Sequence, residues 1–210
     1  GLVVTIPGEG NPTGQLFNGT GGFHGDIFIF ASEDGTISGW RGALGTAAEV
    51  LVARPSAVYK GITLARTPSG PVLLAANFRE GTIDMYRTNL SLVGQFTDPQ
   101  APAGYAPFNV QDIAGTIVVT FAKQDAERHD DVPGRGHGLI DTFDPQTGKF
   151  RGLLERCDDE AVVIDGLWGL AFGNGGRAGR PGTLYFTAGP AGESHGLFGS
   201  LEPEMTHDDD

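Results

Sequence analysis

Oxygen-bearing side chains recur in the short polar segments between the apolar stretches of this 210-residue chain. Calcium takes roughly 6 to 8 oxygen ligands in flexible geometry, so such side chains could converge on calcium or another divalent cation. The alternative is structural, because Asp next to Gly, as in Asp34-Gly35, is an ordinary turn residue that hydrogen-bonds to nearby backbone. The candidate metal ligands are Glu33, Asp34, Asn77, Asn109 and Asp125.

Two further side chains could complete a catalytic site around such a cation. A bound cation polarises a carbonyl group and activates water, and His195 or Asp165 would then transfer the proton. His195 is also compatible with a turn residue that is satisfied by hydrogen bonds. Aromatic and basic side chains in the equivalent segments are candidates for ligand binding: Tyr59, Lys60, Arg79, Tyr105 and Lys123.

The segment from Asp125 to His137 concentrates two of the five histidines with several acids. His129, Asp130, Asp131 and His137 could bind a divalent metal in a mobile lid. Their spacing matches no fixed metal motif, so a solvated loop is the alternative. The sequence also lacks a phosphate-binding loop, a Gly-x-Ser-x-Gly elbow and a zinc-protease His-Glu pair. Function therefore has to be inferred from how the elements bring residues together.

Those elements repeat. Four units each contain an apolar segment, then a polar turn, then a second segment that opens with glycine. The apolar segments are 28–32, 72–77, 117–122 and 184–188, and the glycines are Gly35, Gly81, Gly138 and Gly196. Successive glycines lie 46, 57 and 58 residues apart. This spacing indicates a period of about 45 residues with two insertions, Asp125–His137 and Gly173–Gly182.

Units of about 40 to 50 residues with four short strands are typical of β-propeller blades. A β-sandwich is the alternative, but a sandwich does not require the units to resemble one another. We therefore predict an all-β protein whose single domain, residues 1–201, is a β-propeller of about four blades. The last unit lacks a fourth strand, so the N-terminal strand Leu2–Ile6 is predicted to close the last blade. The acidic tail 202–210 is predicted to be disordered.

Composition supports this fold and excludes several partners. The chain contains 34 glycines, which disfavour a helix bundle because glycine costs about 1 kcal/mol in a helix interior. Its formal net charge of −12 disfavours nucleic acid and anionic membranes as partners. No apolar run approaches the roughly 20 residues of a membrane helix. The single cysteine, Cys157, can form no internal disulfide.

A series of short motifs extends along most of the chain, among them Phe30-Ala-Ser-Glu-Asp-Gly-Thr-Ile-Ser-Gly-Trp40 and Ile164-Asp-Gly-Leu-Trp-Gly-Leu170. The others are at 11–14, 17–22, 76–79, 102–109, 122–125, 172–176, 184–190 and 195–199. Together they resemble an uncharacterised family of secreted bacterial β-propeller proteins. The resemblance implies a propeller fold and a secreted or periplasmic location, but no activity. It also implies about six blades, with one ahead of Gly1 and one between Leu154 and Val162, so this chain resembles a shortened version.

Two functional hypotheses follow. The first is an exported binding or scaffold protein that recognises a small molecule, glycan or protein on its channel face, where propellers usually bind ligands. The second is a calcium-assisted hydrolase of lactone or ester type, because calcium-dependent propeller lactonases have a comparable cage at the channel mouth. Whether the chain is an enzyme stays open. We also expect a homo-oligomer, because missing blades would uncover apolar sheet faces.

Overall fold

The computed structural model describes residues 1–156, 158–177 and 179–201, which form four antiparallel sheets. Blade 1 contains β1 (Pro12–Phe17), β2 (Phe28–Ser32), β3 (Thr36–Trp40) and β4 (Glu49–Ala53). Blade 2 contains β5 (Tyr59–Thr67), β6 (Gly70–Asn77), β7 (Thr82–Arg87) and β8 (Leu92–Phe96). Blade 3 contains β9 (Tyr105–Ile113), β10 (Thr116–Lys123), β11 (Gly138–Phe143) and β12 (Phe150–Leu153). Blade 4 contains β13 (Leu167–Phe172), β14 (Leu184–Ala188) and β15 (Leu197–Leu201).

Short 3₁₀ turns at Phe23–Gly25 and Gly42–Leu44 are the helical elements of the described chain. None of its helices is long or apolar enough to cross a membrane. The predicted acidic tail 202–210 and Cys157 lie outside the described residues.

Glycine fixes the turns that join the second and third strands of the first two blades. Gly35 and Gly81 have φ values of 79° and 73°, a left-handed conformation that glycine adopts without steric cost. The apolar second strands, such as β6 and β10, are buried along most of their length because they lie in the middle of a sheet that is covered on both faces. The pattern of apolar segment, polar turn and glycine therefore encodes a short hairpin in blades 1 and 2.

Consecutive blades pack face to face, as they do in a β-propeller. We call the face toward the next blade the forward face and the opposite one the backward face. The first interface joins Ile29 and Ile37 on the forward face of blade 1 to Leu73 and Tyr86 on the backward face of blade 2. Two further apolar cores join blade 2 to blade 3 and blade 3 to blade 4. The predicted four-bladed propeller is confirmed.

The first strand of each blade lies innermost and contacts the first strand of the next blade: β1 packs on β5, β5 on β9, and β9 on β13. Glycine permits this close approach. A Cβ atom at Gly61 in β5 would lie 2.8 Å from the Cα of Asn109 in β9. Residues with side chains could not bring these backbones so close, so glycine sets the spacing of blades 2 and 3.

The predicted role of the N-terminal strand is wrong. Residues Leu2–Ile6 do not pair with blade 4; instead the N–H of Thr5 donates to Thr46 O at 2.8 Å and the N–H of Ala48 donates to Thr5 O at 2.9 Å. This parallel bridge holds the segment against blade 1. The segment and the backward face of blade 1 enclose a cleft of about 460 Å³, which Leu2, Val4 and Phe30 help to line.

The contact between inner strands gives a test of the fold. We expect Gly61→Ala to destabilise the protein by about 1–3 kcal/mol, because the added methyl group would push blades 2 and 3 apart. Urea denaturation measures this change. Gly196→Ala is the matched control, since its added Cβ would enter open space. Equal stability of the two variants would contradict the role given to the inner strands.

Candidate functional site

Each inner strand carries a β-bulge near the end where the chain enters the blade. The register shifts between Pro12 and Gly14, Tyr59 and Gly61, Pro107 and Asn109, and Leu167 and Gly169. A bulge leaves one residue unpaired and redirects its side chain. The four bulged residues are therefore structural equivalents around the axis, and we call them the mouth ring: Thr13, Lys60, Phe108 and Trp168.

Lys60 is the charged member of the mouth ring and is almost completely buried, with 4% of its surface exposed. Its ammonium group pairs with Glu33 and lies 3.0 Å from Asp130 Oδ1. The same group lies 5.5 Å from the ring centre of Phe108 and 5.9 Å from that of Phe78. Carboxylates and aromatic faces both stabilise a cation that has lost its water. These contacts join blades 1, 2 and 3 at one point.

Asp130 belongs to the insertion between β10 and β11, which crosses the mouth ring. We call residues 125–137 the cap. The next cap residue, Asp131, faces Trp168 of the mouth ring. Burial raises the pKa of Asp131, hydrogen bonding from Trp168 lowers it, and the negative charges of Asp130 and Glu193 raise it further. Two consecutive carboxylates of the cap thus contact ring residues from blade 2 and blade 4.

The far end of the cap is also held in place. The N–H of Gly136 donates to Asp165 Oδ1 at 2.8 Å, and Tyr105 donates its hydroxyl proton to Gly136 O at 2.9 Å. His137 Nδ1 lies 2.7 Å from Val132 O within the cap. The loop predicted as a mobile lid or a solvated segment therefore makes contacts with blades 2, 3 and 4.

A solvent-open cleft of about 580 Å³ lies beside the cap, between blades 3 and 4. Its walls are mostly apolar, and Arg135 and Asp165 are its charged residues. This size falls within the range of roughly 300 to 1,000 Å³ that is usual for small-molecule sites. The lining residues are Arg135, Gly136, Val163, Ile164, Asp165, Phe186, Pro190 and Leu197.

Five of the residues predicted for the site do lie at this face of the propeller. Glu33 and Lys60 form the ion pair of the mouth ring, and Tyr105 and Asp165 hold the cap. Asp125 stabilises the cap from within, because its Oδ1 accepts a hydrogen bond from His129 N at 2.8 Å. Each of these side chains holds a residue of the mouth ring or of the cap in position.

Tyr59 and Asn77 have a structural role instead, in a buried network between blades 1 and 2. Its centre is Asp84, whose Oδ2 lies 3.0 Å from Arg54 Nη1, 2.9 Å from the Tyr59 hydroxyl and 3.2 Å from Asn77 Nδ2. Gln95 donates to Asp84 Oδ1 at 2.7 Å. Burial, and then the charge of Asp84, raise the pKa of Tyr59. The tyrosine is fully buried and so cannot contact a ligand from solvent.

Other predicted ligands serve the local backbone. Asp34 accepts hydrogen bonds from the N–H groups of Glu9 and Thr36, both at 2.9 Å. Burial raises the pKa of Asp34, but these hydrogen bonds outweigh it and lower the pKa overall. Asn109 lies against Gly61 and donates its own N–H to Thr120 Oγ1 at 2.9 Å.

Among the described residues, no group of three or more His, Cys, Asp or Glu side chains is placed to hold a metal ion. His195 is exposed and hydrogen-bonds to the neighbouring Ser194 Oγ at 2.9 Å. Within the residues that the structure describes, the side chains of Arg79 and Lys123 form no hydrogen bond or ion pair. The calcium site and the hydrolase hypothesis stay predictions.

Sequence reasoning missed the role of Phe108 and the ring position of Trp168. The available signal was the position of each residue in the repeat, near the start of the inner strand. The β-bulge that aims these side chains at the axis has no comparable signature, because it depends on pairing with the second strand.

Comparisons with known proteins bear on the fold. No family model matches the chain. An uncharacterised protein of Acanthamoeba polyphaga mimivirus is 27% identical over 140 residues, which cover 61% of this chain and 26% of the relative. A crystal structure of a protein of unknown function from Bacteroides caccae superposes with a TM-score of 0.51 at 15% identity. That match covers 86% of this chain and 57% of the solved one, so the chain spans just over half of the solved structure. At this identity the match is a likeness of fold alone.

The contacts of the cap lead to a second prediction. Asp130→Asn should increase amide exchange in residues 125–137 by roughly several-fold, because the cap loses its ion pair with Lys60 while the blades keep their cores. Hydrogen exchange with mass spectrometry measures this directly. Glu127→Gln is the matched control, since Glu127 is exposed in the same cap. If both variants exchange like the wild type, the ion pair does not hold the cap.

Proposed function

We propose that this chain is an exported binding protein whose ligand site is the cleft between the cap and blade 4. One observation carries the proposal: the cleft is formed by the cap, the connection into blade 4 and the β14–β15 hairpin, all on the face where propellers bind ligands. The resemblance to secreted propeller proteins supports the exported location. A scaffold function would not require a shaped cleft of this size.

The cleft lining favours a small molecule over a glycan or a protein. Val163 and Leu197 of this lining are 46% and 45% exposed to water. Burying them under a ligand would be favourable at about 25 cal/mol per Å² of apolar surface. Arg135, on the cap, adds a positive charge at the same cleft. The expected ligand is therefore an amphipathic molecule with an apolar body and an anionic or strongly polar group.

A fluorescence titration with anilinonaphthalene sulfonate, an amphipathic anion, tests the site. We expect saturable binding at one site. Leu197→Glu should weaken it by about tenfold or more, because it places a carboxylate in the apolar wall. Arg135→Gln should weaken it to a smaller extent. Val50→Glu is the matched control, because Val50 is 49% exposed on blade 1 and should leave binding unchanged. The proposal is overturned if both cleft variants bind anilinonaphthalene sulfonate as tightly as the wild type does.

We also propose that the protein self-associates through its two outer faces. Phe198 on the forward face of blade 4 is 69% exposed and stacks on Tyr185, with ring centres 5.5 Å apart. Phe17 on the backward face of blade 1 is 66% exposed, next to Phe28. Every interface within the chain joins a forward face to a backward face. The forward face of blade 4 is therefore suited, in a second copy, to the part of the backward face of blade 1 around Phe17 that the N-terminal segment leaves exposed.

Analytical ultracentrifugation checks this proposal. The wild type should show a concentration-dependent increase in mass, and Phe198→Glu should be monomeric because its charge cannot be buried at an interface without a partner. Val132→Glu, on the exposed surface of the cap, is the control and should associate like the wild type. A wild type that stays monomeric at high concentration contradicts the proposal.

A further inference from the structure

Two carboxyl groups lie buried against each other between blades 2 and 3. Asp98 follows β8 and is 6% exposed, and Asp141 lies in β11 and is 1% exposed. Asp98 is close enough to raise the pKa of Asp141, both through its charge and as a hydrogen-bond partner. No N–H or O–H group of the described residues reaches Asp141 Oδ1. A buried carboxylate without donors is costly, so this setting favours the protonated form of Asp141.

The repeat shows how unusual this pair is. Asp141 occupies the position of Asp84, four residues into the segments that begin at Gly138 and Gly81. Asp98-Pro99 occupies the position of Arg54-Pro55, in the connection between blades. Between blades 1 and 2 the two positions hold an ion pair, with Arg54 Nη1 3.0 Å from Asp84 Oδ2. Between blades 2 and 3 the cation is replaced by a second acid.

Among the described residues around Asp141, no other cation replaces the missing arginine. The flanking strands place Val119 of β10 and Leu153 of β12 opposite Asp141, and both are apolar. Asp98 is the charged group that acts on it, and Asp98 Oδ1 accepts a further hydrogen bond from Gln100 N at 2.7 Å. Burial, and then the charge and hydrogen bond of Asp98, raise the pKa of Asp141 to about 7.

We propose that Asp98 and Asp141, two carboxyl groups buried between blades 2 and 3, form a proton-binding site that makes this interface sensitive to pH. When the proton is present, one carboxyl group donates to the other and the interface is closed. When it leaves, two negative charges face each other in an apolar setting. The interface is then weakened, while the ion pair between blades 1 and 2 is unaffected.

The direction of the effect follows from linkage. The pKa of Asp141 is about 7 in the folded protein and 3.8 for an ordinary Asp, so the folded state binds the proton more tightly. This contribution to stability is complete below the unfolded value and is lost as pH rises through the folded one. Between these values the unfolding constant should rise about tenfold per pH unit from this group alone.

The test compares the wild type with Asp141→Asn by urea denaturation at about pH 5 and about pH 8, with chelator present. Asparagine keeps the shape and donates a hydrogen bond permanently, as the protonated acid does. The wild type should lose stability between the two values, and Asp141→Asn should lose much less and be the more stable protein at the higher pH. Asp98→Arg places at this interface the residue that the first interface has at the equivalent position. It should also reduce the dependence of stability on pH.

Asp84→Asn is the matched control at the equivalent position. It should be destabilised at both pH values, because it removes the charge that Arg54 pairs with. If Asp141→Asn behaves in the same way, the site is not a proton site and the proposal fails. The proposal is also overturned if calcium, added without chelator at the higher pH, raises the denaturation midpoint of the wild type and not that of Asp141→Asn.

Discussion

Direct contact between the inner strands is the constraint on which the rest of this molecule depends. Because Gly61 lets β5 approach the backbone of Asn109, blades 2 and 3 meet closely along their inner strands. A bulge at the entrance of each inner strand then turns one side chain out of the sheet. The axial face consequently presents four side chains at fixed positions, and the cap has a rigid surface on which to bind.

The interfaces between blades share their apolar contacts but differ in their buried polar groups. At the first interface an arginine and an aspartate neutralise each other, whereas at the second two aspartates meet. A repeat keeps backbone geometry constant, so a change of residue type at one position changes the charge of an interface without changing its shape. The propeller can therefore hold interfaces of unequal electrostatic character within one uniform architecture.

The sequence predicted the blades well because each blade consists of strands that are consecutive along the chain. Gly35 and Gly81 mark tight turns between strands that are neighbours along the chain, and such turns leave a clear pattern of residue types. The N-terminal strand was predicted wrongly because its partner is decided by tertiary packing: Thr5 could have paired with any free sheet edge. The pair formed by Asp98 and Asp141 was missed for the same reason, since 43 residues separate its members.

The outcome for the candidate site has a physical explanation in the geometry of the repeat. The polar residues of the short turns lie next to N–H groups of the same turns that are not paired in a sheet. Asp34 and Asn77 bond to those groups and are thereby occupied. The residues of an insertion do not have to bond to those N–H groups. The cap can direct Asp130 to Lys60 and Asp131 to Trp168 because its residues have no counterparts in other blades, and the cleft forms at its edge. In this propeller the repeat supplies the frame, and the segment that departs from the repeat is the part free to acquire a specific function.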